Sequence, residues 1–259
     1  MFGELYAVVV EVTAFGPIAV YIPYSTTSTN IYLLPPPTTL VGALAYAYKR
    51  SLNNFKELDE DGSSQALEVI ENGDVLYASA GIDEPYTVSR SIEKVYQHIY
   101  LRSEHWKRSE MAYTVGVRPI IITRKLYVLY IVANRNIARY SYGITRIGRK
   151  ESLVAVDNVE IASLRDVVSK NRYCETGFYF PLSIAQEYSP KDMWIKVDMP
   201  ILTKENFMKK SIKTEKYVVP KPFAFRKASV QLSENGVAIK MNVGSKTIEV
   251  PIPRNIIGG

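Results

Sequence analysis

Three consecutive prolines, Pro35, Pro36 and Pro37, stand directly before an alanine-rich stretch in the segment YLLPPPTTLVGALAYAYKR. Proline disfavours the helical conformation in the residue before it, so the segment must approach in an extended form and a helix can begin only at its end. Thr38 or Thr39 is predicted to cap that helix through its hydroxyl group. The prolines therefore constrain the start of the helix more strongly than any other feature of the chain.

The helix predicted after the prolines has one apolar face. Its residues follow the i, i+3, i+4, i+7, i+8 spacing of a buried stripe: Leu40, Ala43, Leu44, Ala47 and Tyr48. Gly42 lowers helix propensity by about 1 kcal/mol relative to alanine. We interpret it as a packing residue that, with the alanines, keeps the helix thin enough to lie close to a sheet.

The composition is that of a globular protein, with 47% hydrophobic and 22% charged residues in 259. No apolar run reaches the roughly 18 residues of a membrane span, and the N-terminal MFGELYAVVVEV lacks the features of a signal peptide. Cys174 is the single cysteine, which excludes an internal disulfide and leaves too few thiols for a zinc site. These observations predict a cytoplasmic protein that has no membrane partner.

The net charge of +6 is unevenly distributed along the chain. Residues Lys56–Asp74 include seven acidic and one basic residue, Asn134–Lys150 five basic and no acidic ones, and Lys204–Lys227 eight basic and two acidic ones. Each run is compatible with a solvated face, but the segregation of the three also suits a polyanionic partner. Charge alone leaves both interpretations open.

The order of predicted elements indicates an α+β fold. Strands are predicted at Tyr6–Phe15 and Val75–Ile82, followed by a protruding hairpin over Tyr86–Arg118. A second hairpin is predicted over Val117–Thr123 and Leu126–Ala133, with its turn at Arg124 and Lys125. A helix from Arg135 follows, with four residues on one face: Ile137, Tyr140, Ile144 and Ile147.

This order fits a ferredoxin-like domain, the architecture of RNA recognition motifs, although the aromatic signature of those motifs is absent. We predict that residues 1–160 form this domain, with residues 86–118 as an inserted hairpin. Residues 161–259 are predicted to form a smaller β-rich domain, with a hairpin turn at Glu234-Asn235-Gly236.

Most catalytic signatures are missing from the sequence. There is no phosphate-binding P-loop, no GxGxxG and no GxSxG. The two histidines, His98 and His105, have neither a HExxH context nor a cysteine partner, so we expect no metal or other cofactor. A metal-free ribonuclease would need only a general acid and base, for which His98, His105 and Tyr48 are the candidates. The alternative is that both histidines are exposed hairpin residues.

A second stretch, YGITRIGRKESL, combines glycine with cationic residues. Gly148 lies between Arg146 and the pair Arg149 and Lys150. A glycine at this point is commonly a helix C-cap. The same arrangement also offers backbone N–H groups beside cationic side chains, which suits an RNA phosphate.

The stretches PPPTTLVGALA and IGRKESL, taken together, resemble the two signatures of the CRISPR-associated Cas five family of the RAMP superfamily, whose members are subunits of type I Cascade complexes. The resemblance covers residues 1–160, and the tyrosine-rich character is most similar to the archaeal type I-A branch. It implies a non-catalytic subunit that binds the 5′ handle of CRISPR RNA and caps a filament of backbone subunits. It also implies that the subunit docks the large subunit.

The resemblance assigns RNA binding to the helix start at Thr38 and Thr39, and to Arg146, Gly148, Arg149 and Lys150 in the second motif. It also implies that the predicted hairpin is a thumb that contacts RNA and the neighbouring backbone subunit. Within that hairpin we choose four RNA-binding residues on physical grounds, because no motif identifies them: Arg102, Trp106, Lys107 and Arg108.

A type I-C branch of the family processes CRISPR RNA with a Tyr, Lys and His set. Tyr48 lies near the position of that tyrosine, but the adjacent Lys-His pair is absent here. We therefore predict no catalytic residues. A metal-independent endoribonuclease that cuts repeat RNA is the alternative, and a capping subunit of a type III complex is a third possibility.

Overall fold

A computed structural model of the protein describes residues 4–22, 31–96, 113–208 and 212–258. The strands in these ranges are β1 Tyr6–Ala14, β2 Val75–Gly81, β3 Thr87–Tyr96, β4 Tyr113–Ile122, β5 Lys125–Val132, β6 Val154–Ser163, β7 Val168–Ser169, β8 Tyr173–Thr176, β9 Phe180–Pro181, β10 Ala185–Ser189, β11 Trp194–Pro200, β12 Thr214–Pro220, β13 Ala228–Leu232, β14 Gly236–Val243 and β15 Lys246–Pro253.

The α-helices in the same ranges are α1 Pro37–Ser51, α2 Leu67–Glu71, α3 Arg135–Arg139, α4 Leu164–Val167 and α5 Lys204–Phe207. Single 3₁₀ turns cover Tyr140–Gly143, Leu182–Ile184, Lys191–Met193 and Arg254–Ile256. The protein is thus a mixed fold in which strands predominate. No helix in the part of the chain that the structure describes is both long and apolar enough to span a membrane.

The central sheet has four strands in the order β2-β5-β1-β6, and every neighbouring pair is antiparallel. Helix α1 lies in the connection from β1 to β2, and α3 lies in the connection from β5 to β6. The predicted strands Tyr6–Phe15 and Val75–Ile82 are confirmed to within one residue. The sheet is where the two motif segments are brought together, because the helix of the first motif and the turn of the second motif both connect its strands.

Both faces of β1 are buried in the centre of this sheet, which explains its apolar run from Ala7 to Val10. Val8 and Val10 belong to a core cluster that also contains Leu40 and Leu44 of α1. Ala7 and Val9 point to the other face and join a second cluster. That cluster includes residues of the β14–β15 hairpin: Val237, Ile239, Met241, Val243, Ile248, Val250 and Ile252.

The pairing of β4 differs from the prediction. Residues 117–123 were expected to pair with residues 126–133, but β4 instead pairs with β3 along its whole length, from Thr87↔Ile122 to Tyr96↔Tyr113. Strand β5 pairs with β1 and β2 in the central sheet. The chain therefore moves from one sheet to another at Thr123 and Arg124, since pairing in the central sheet buries β5 on both faces.

The helix predicted from Arg135 is shorter than expected. Helix α3 ends at Arg139, and one 3₁₀ turn continues it only to Gly143. Its N-cap is Asn134, whose side chain accepts a hydrogen bond from the Asn136 N–H. Ile144 and Ile147 are buried as predicted, but they follow the helix instead of extending its face. The apolar pattern continues past the helix because the following segment also packs on the core.

A second predicted hairpin is wrong in the C-terminal part. The turn before Gly236 exists, since the Gly236 N–H donates to the Ser233 carbonyl at 3.1 Å. However, β13 pairs with β10 and β8, whereas β14 pairs with β15 and β7. The hairpin that does form joins β14 to β15 through Gly244, which has a φ of +57°.

The C-terminal part also extends the central sheet at its β2 edge. The Tyr179 N–H donates to the Ala80 carbonyl at 3.0 Å, and the Ile82 N–H donates to the Gly177 carbonyl at 3.2 Å. Gly81 and Phe178 form a bridge between these bonds. The segment 177–179 is thereby joined to β2 by its backbone, and this joint positions Tyr179 near the first motif.

Candidate nucleic-acid interface

Helix α1 begins two residues earlier than a cap by Thr38 would allow, and three earlier than a cap by Thr39. Pro36 is its N-cap, Pro37 is its first residue, and no side chain caps it. Proline suits this position because its φ is already helical and it has no N–H that would need a partner. The predicted cap by Thr38 or Thr39 is therefore wrong, since both residues lie inside the first turn. The N–H groups of Thr39 and Leu40 donate to the Pro36 carbonyl at 2.9 and 3.2 Å, so the helix start has fewer free donors than expected.

Two buried tyrosines fix the start of α1 through hydrogen bonds to backbone carbonyls. The Tyr179 hydroxyl donates to the Pro35 carbonyl at 3.0 Å, and the Tyr130 hydroxyl donates to the Leu40 carbonyl at 2.9 Å. Burial raises the pKa of both phenols, so both remain protonated and able to donate. The prolines thus hold an extended approach whose position is set by β5 and by the segment after β8. These anchors were missed by sequence reasoning because nothing local marks them.

The second motif forms a turn that is clamped to the loop after β1. The Ser152 hydroxyl donates to the Pro17 carbonyl at 3.0 Å and accepts from the Ala19 N–H at 3.2 Å. The Arg149 N–H donates to the Ala19 carbonyl at 3.2 Å, so this group is committed to the fold. Ser152 is fully buried, and its role was not predicted although it lies within the motif.

Gly148 is not a helix cap, because the 3₁₀ turn before it already ends at Gly143. Its φ is +105°, and a Cβ built there would lie 2.8 Å from the Ala19 carbonyl oxygen. Both facts require glycine at this position. The glycine of the second motif therefore allows the turn to approach the loop after β1.

One pocket of about 290 Å³ joins the two motifs. It brings together Thr39 of the first motif and Arg146 and Gly148 of the second. Other residues that line it come from α1 and from the loop before α2, among them Gly42, Tyr46, Lys49, Lys56, Glu57 and Gln65. Three of the six residues assigned to the two motifs thus meet at one place, whereas Thr38, Arg149 and Lys150 do not line the pocket.

Arg146 is held in the pocket by two contacts. Its guanidinium carbon lies 4.7 Å from the ring centroid of Tyr46, and its Nη2 lies 2.6 Å from the Glu57 carboxylate. The side chain keeps 26% of its exposure. Lys49, which also lines the pocket, forms an ion pair with Glu68. Glu57 and Glu68 of the acidic run therefore compensate part of the positive charge of the pocket, which the separate charge runs did not predict.

The two remaining cations of the second motif lie outside the pocket. The Arg149 Nη1 donates to the Tyr21 hydroxyl at 2.7 Å, and its Nε lies 3.6 Å from Glu151. The Lys150 side chain is 81% exposed, with its Nζ 4.0 Å from Glu151. Arg149 is thus fixed in the structure, while Lys150 projects into solvent.

Comparison with known proteins identifies relatives for part of the chain. No family model matches it. A protein of Saccharolobus solfataricus named "CRISPR-associated protein Cas5 3" is 31% identical over 159 residues, which cover 58% of this chain and 61% of the relative. "CRISPR system aCascade subunit Cas5 1" from the same organism is 30% identical over 156 residues, with the same two coverages. Over this shared stretch the chain is similar to these Cas5 proteins.

The chain spans about three fifths of the length of these Cas5 relatives. A solved structure, "Crystal structure of a CRISPR protein from Archaeoglobus fulgidus", is similar over 95% of this chain and 99% of its own, with a TM-score of 0.58 and 18% identity. At that identity the likeness concerns the fold alone. The likeness covers more of the chain than the stretch shared with the Cas5 sequences.

Several candidate residues from the sequence lie outside the described part of the chain. These are the thumb residues Arg102, Trp106, Lys107 and Arg108, and also His98 and His105. Tyr48 is described: it is half-buried, packs against the core and contacts Tyr140 with 5.1 Å between ring centroids. A packing role therefore accounts for Tyr48.

The packing interpretation of Gly42 is wrong. A Cβ at this position would meet nothing within 4 Å, because Gly42 faces the pocket and not the sheet. Gly42→Ala is therefore expected to raise the free energy of unfolding by about 1 kcal/mol through helix propensity alone. Urea denaturation measures this, with Gly143→Ala as the control, since its Cβ would lie 3.3 Å from Ala47 Cβ. A destabilised Gly42→Ala variant would show that the residue is needed for packing after all.

Proposed function

We propose that this protein is a non-catalytic RNA-binding subunit of a type I CRISPR Cascade complex, of the archaeal type I-A branch. In this proposal it binds the 5′ handle of CRISPR RNA, caps the filament of backbone subunits and docks the large subunit. The observation that carries the proposal is the pocket that places Thr39, at the start of α1, beside Arg146 and Gly148. The relative named as an aCascade subunit supports it, since that name states membership of such a complex.

We further propose that residues 1–160 form a ferredoxin-like RAMP domain and residues 161–259 a β-rich C-terminal domain. The sheet order β2-β5-β1-β6, with helices in the β1–β2 and β5–β6 connections, supports the first part. The β3–β4 hairpin is proposed as the thumb that meets RNA and the backbone subunit. Its paired strands run from Thr87 to Ile122, so it reaches four residues beyond the predicted end at Arg118.

The proposed interface would bind phosphate through cations of different kinds. Arg146 is pre-positioned by Tyr46 but already pairs with Glu57, so a phosphate must share or displace that carboxylate. Lys150 is exposed and can meet the backbone as a point charge. Arg146 would therefore orient the RNA. Lys150 would contribute an electrostatic attraction to the RNA that weakens as the salt concentration rises.

Lys150→Ala is expected to weaken binding of labelled repeat-derived RNA and to reduce the slope of log K against log salt by about 0.7, the value for one lost phosphate contact on a single strand. The control is Lys191→Ala, because Lys191 is also exposed and also lies 4.0 Å from a glutamate. Fluorescence anisotropy at several salt concentrations measures both variants. Equal slopes for the two would remove Lys150 from the interface.

The non-catalytic part of the proposal is tested by incubating the protein with labelled repeat RNA in EDTA. Intact RNA is the expected result. A discrete cut that is abolished by Tyr48→Phe or His98→Ala would instead establish a metal-independent endoribonuclease. Co-purification of the protein with its large subunit separates a type I complex from a type III complex.

A further inference from the structure

The loop between β12 and β13 has the sequence KPFAFRK, from Lys221 to Lys227. Phe223, at its tip, has a φ of +72° and is 67% exposed. A bulky residue rarely adopts a positive φ, and an exposed phenyl ring gains nothing from burial there. Neither backbone preference nor packing accounts for a phenylalanine at this position, and such an unexplained conformation indicates a binding role.

The conformation of this loop is fixed by hydrogen bonds with the buried residue Tyr86. The Phe223 N–H donates to the Tyr86 carbonyl at 2.7 Å, and the Tyr86 hydroxyl donates to the Pro220 carbonyl at 2.7 Å. Tyr86 is only 1% exposed, and Pro220 and Pro222 restrict the backbone on either side of Lys221. The backbone at Phe223 is therefore held in place before any ligand arrives, which lowers the entropic cost of binding.

The loop is also positively charged. No acidic residue occurs from Lys216 to Ser233, and in the described ranges no carboxylate forms an ion pair with Lys221 or Arg226. Three lysines earlier in the same basic run are paired: Lys204 with Glu71, Lys213 with Glu205 and Lys216 with Asp198. Lys227 shares a pocket with Glu175 and Glu249. Among the described residues of the run, which leave out 209–211, the uncompensated charge is thus concentrated beside Phe223.

We propose that Phe223 is a stacking platform for a base of single-stranded RNA, with Lys221 and Arg226 binding the adjacent phosphates. Aromatic rings flanked by cations bind single strands with little sequence preference, since every base has a π face. Tyr86 directly precedes β3, so the platform lies at the base of the β3–β4 hairpin. The inference rests on the proposed RNA-binding function but concerns a contact outside the pocket.

The test compares Phe223→Ala, Phe223→Trp and Phe223→Gly in the full chain, by anisotropy with labelled repeat-derived RNA. Loss of one stacked base is expected to weaken binding about ten-fold in Phe223→Ala, and Phe223→Trp should retain affinity. Phe223→Gly relaxes the positive φ, so its melting temperature should be unchanged or higher while its affinity falls as in Phe223→Ala. A ring with only a structural role would not separate stability from affinity in this way.

Tyr173→Ala is the matched control, because Tyr173 is an aromatic residue that is 62% exposed and lies in β8. Wild-type affinity in Phe223→Ala, or an equal loss in Tyr173→Ala, overturns the platform. Unchanged RNA affinity with lost binding to another Cascade subunit also overturns it and assigns the loop to a protein interface. If the wild-type protein binds no RNA, the proposed function itself fails, and the platform fails with it.

Discussion

Gly177→Ala is expected to destabilise the protein by about 3 kcal/mol, because overpacking cannot be relieved where two backbones touch. A Cβ at this position would lie 1.9 Å from the Ile82 carbonyl oxygen and 3.0 Å from the Phe225 ring. The Ile82 N–H also donates to the Gly177 carbonyl, so these two segments of the backbone cannot move apart without losing that hydrogen bond. Urea unfolding followed by circular dichroism measures the effect.

The control for this variant is Gly258→Ala, since a Cβ there would meet nothing within 4 Å. A Gly177→Ala protein that unfolds at the same urea concentration as Gly258→Ala would contradict the expected contact. The variant should also weaken RNA binding, because Tyr179 follows two residues later and anchors Pro35 at the start of α1. A residue of the C-terminal strands thereby affects the N-terminal motif.

Gly148→Ala is expected to cost about 3 kcal/mol, through an unfavourable backbone conformation and a contact with the Ala19 carbonyl. Its φ of +105° lies beyond the left-handed region that other residues occasionally adopt, and its Cβ would be 2.8 Å from that oxygen. The change should also move the turn that brings Arg146 to the pocket. Thermal and urea denaturation report the stability, and RNA anisotropy reports the interface.

Gly73→Ala separates the two causes. Gly73 has a φ of +69°, within the left-handed region, and its Cβ would meet nothing within 4 Å. Its substitution should therefore cost only about 1 kcal/mol. If both alanine variants lose the same stability, the close approach to Ala19 contributes nothing and the positive φ explains the whole effect.

The strands were easier to predict than their partners. The valine run of β1 and the apolar pattern of β2 predict strands that the structure confirms, because burial on a sheet selects such residues wherever the strand pairs. The two hairpins predicted from short connections, at Arg124-Lys125 and before Gly236, are wrong. In each case the connection instead leads from one sheet to another.

The candidate site was also predicted only in part. Thr39, Arg146 and Gly148 are motif residues, and the pocket brings them together. Their supports were missed, because Glu57, Tyr130 and Tyr179 reach the site from other parts of the chain. A side chain that acts through a long-range hydrogen bond leaves no periodic or compositional signal near the residue that it holds.

The sequence by itself determined the local features of this protein: the extended approach of Pro35 and Pro36, the helix that follows, the buried valine strand and the glycine of the second motif. These follow from φ preferences and side-chain polarity, which act within a few residues. Only the tertiary structure decided which strands pair, that Gly42 faces a pocket and that Glu57 compensates Arg146. Those outcomes depend on which distant surfaces exclude water from one another, and that is a property of the whole folded chain.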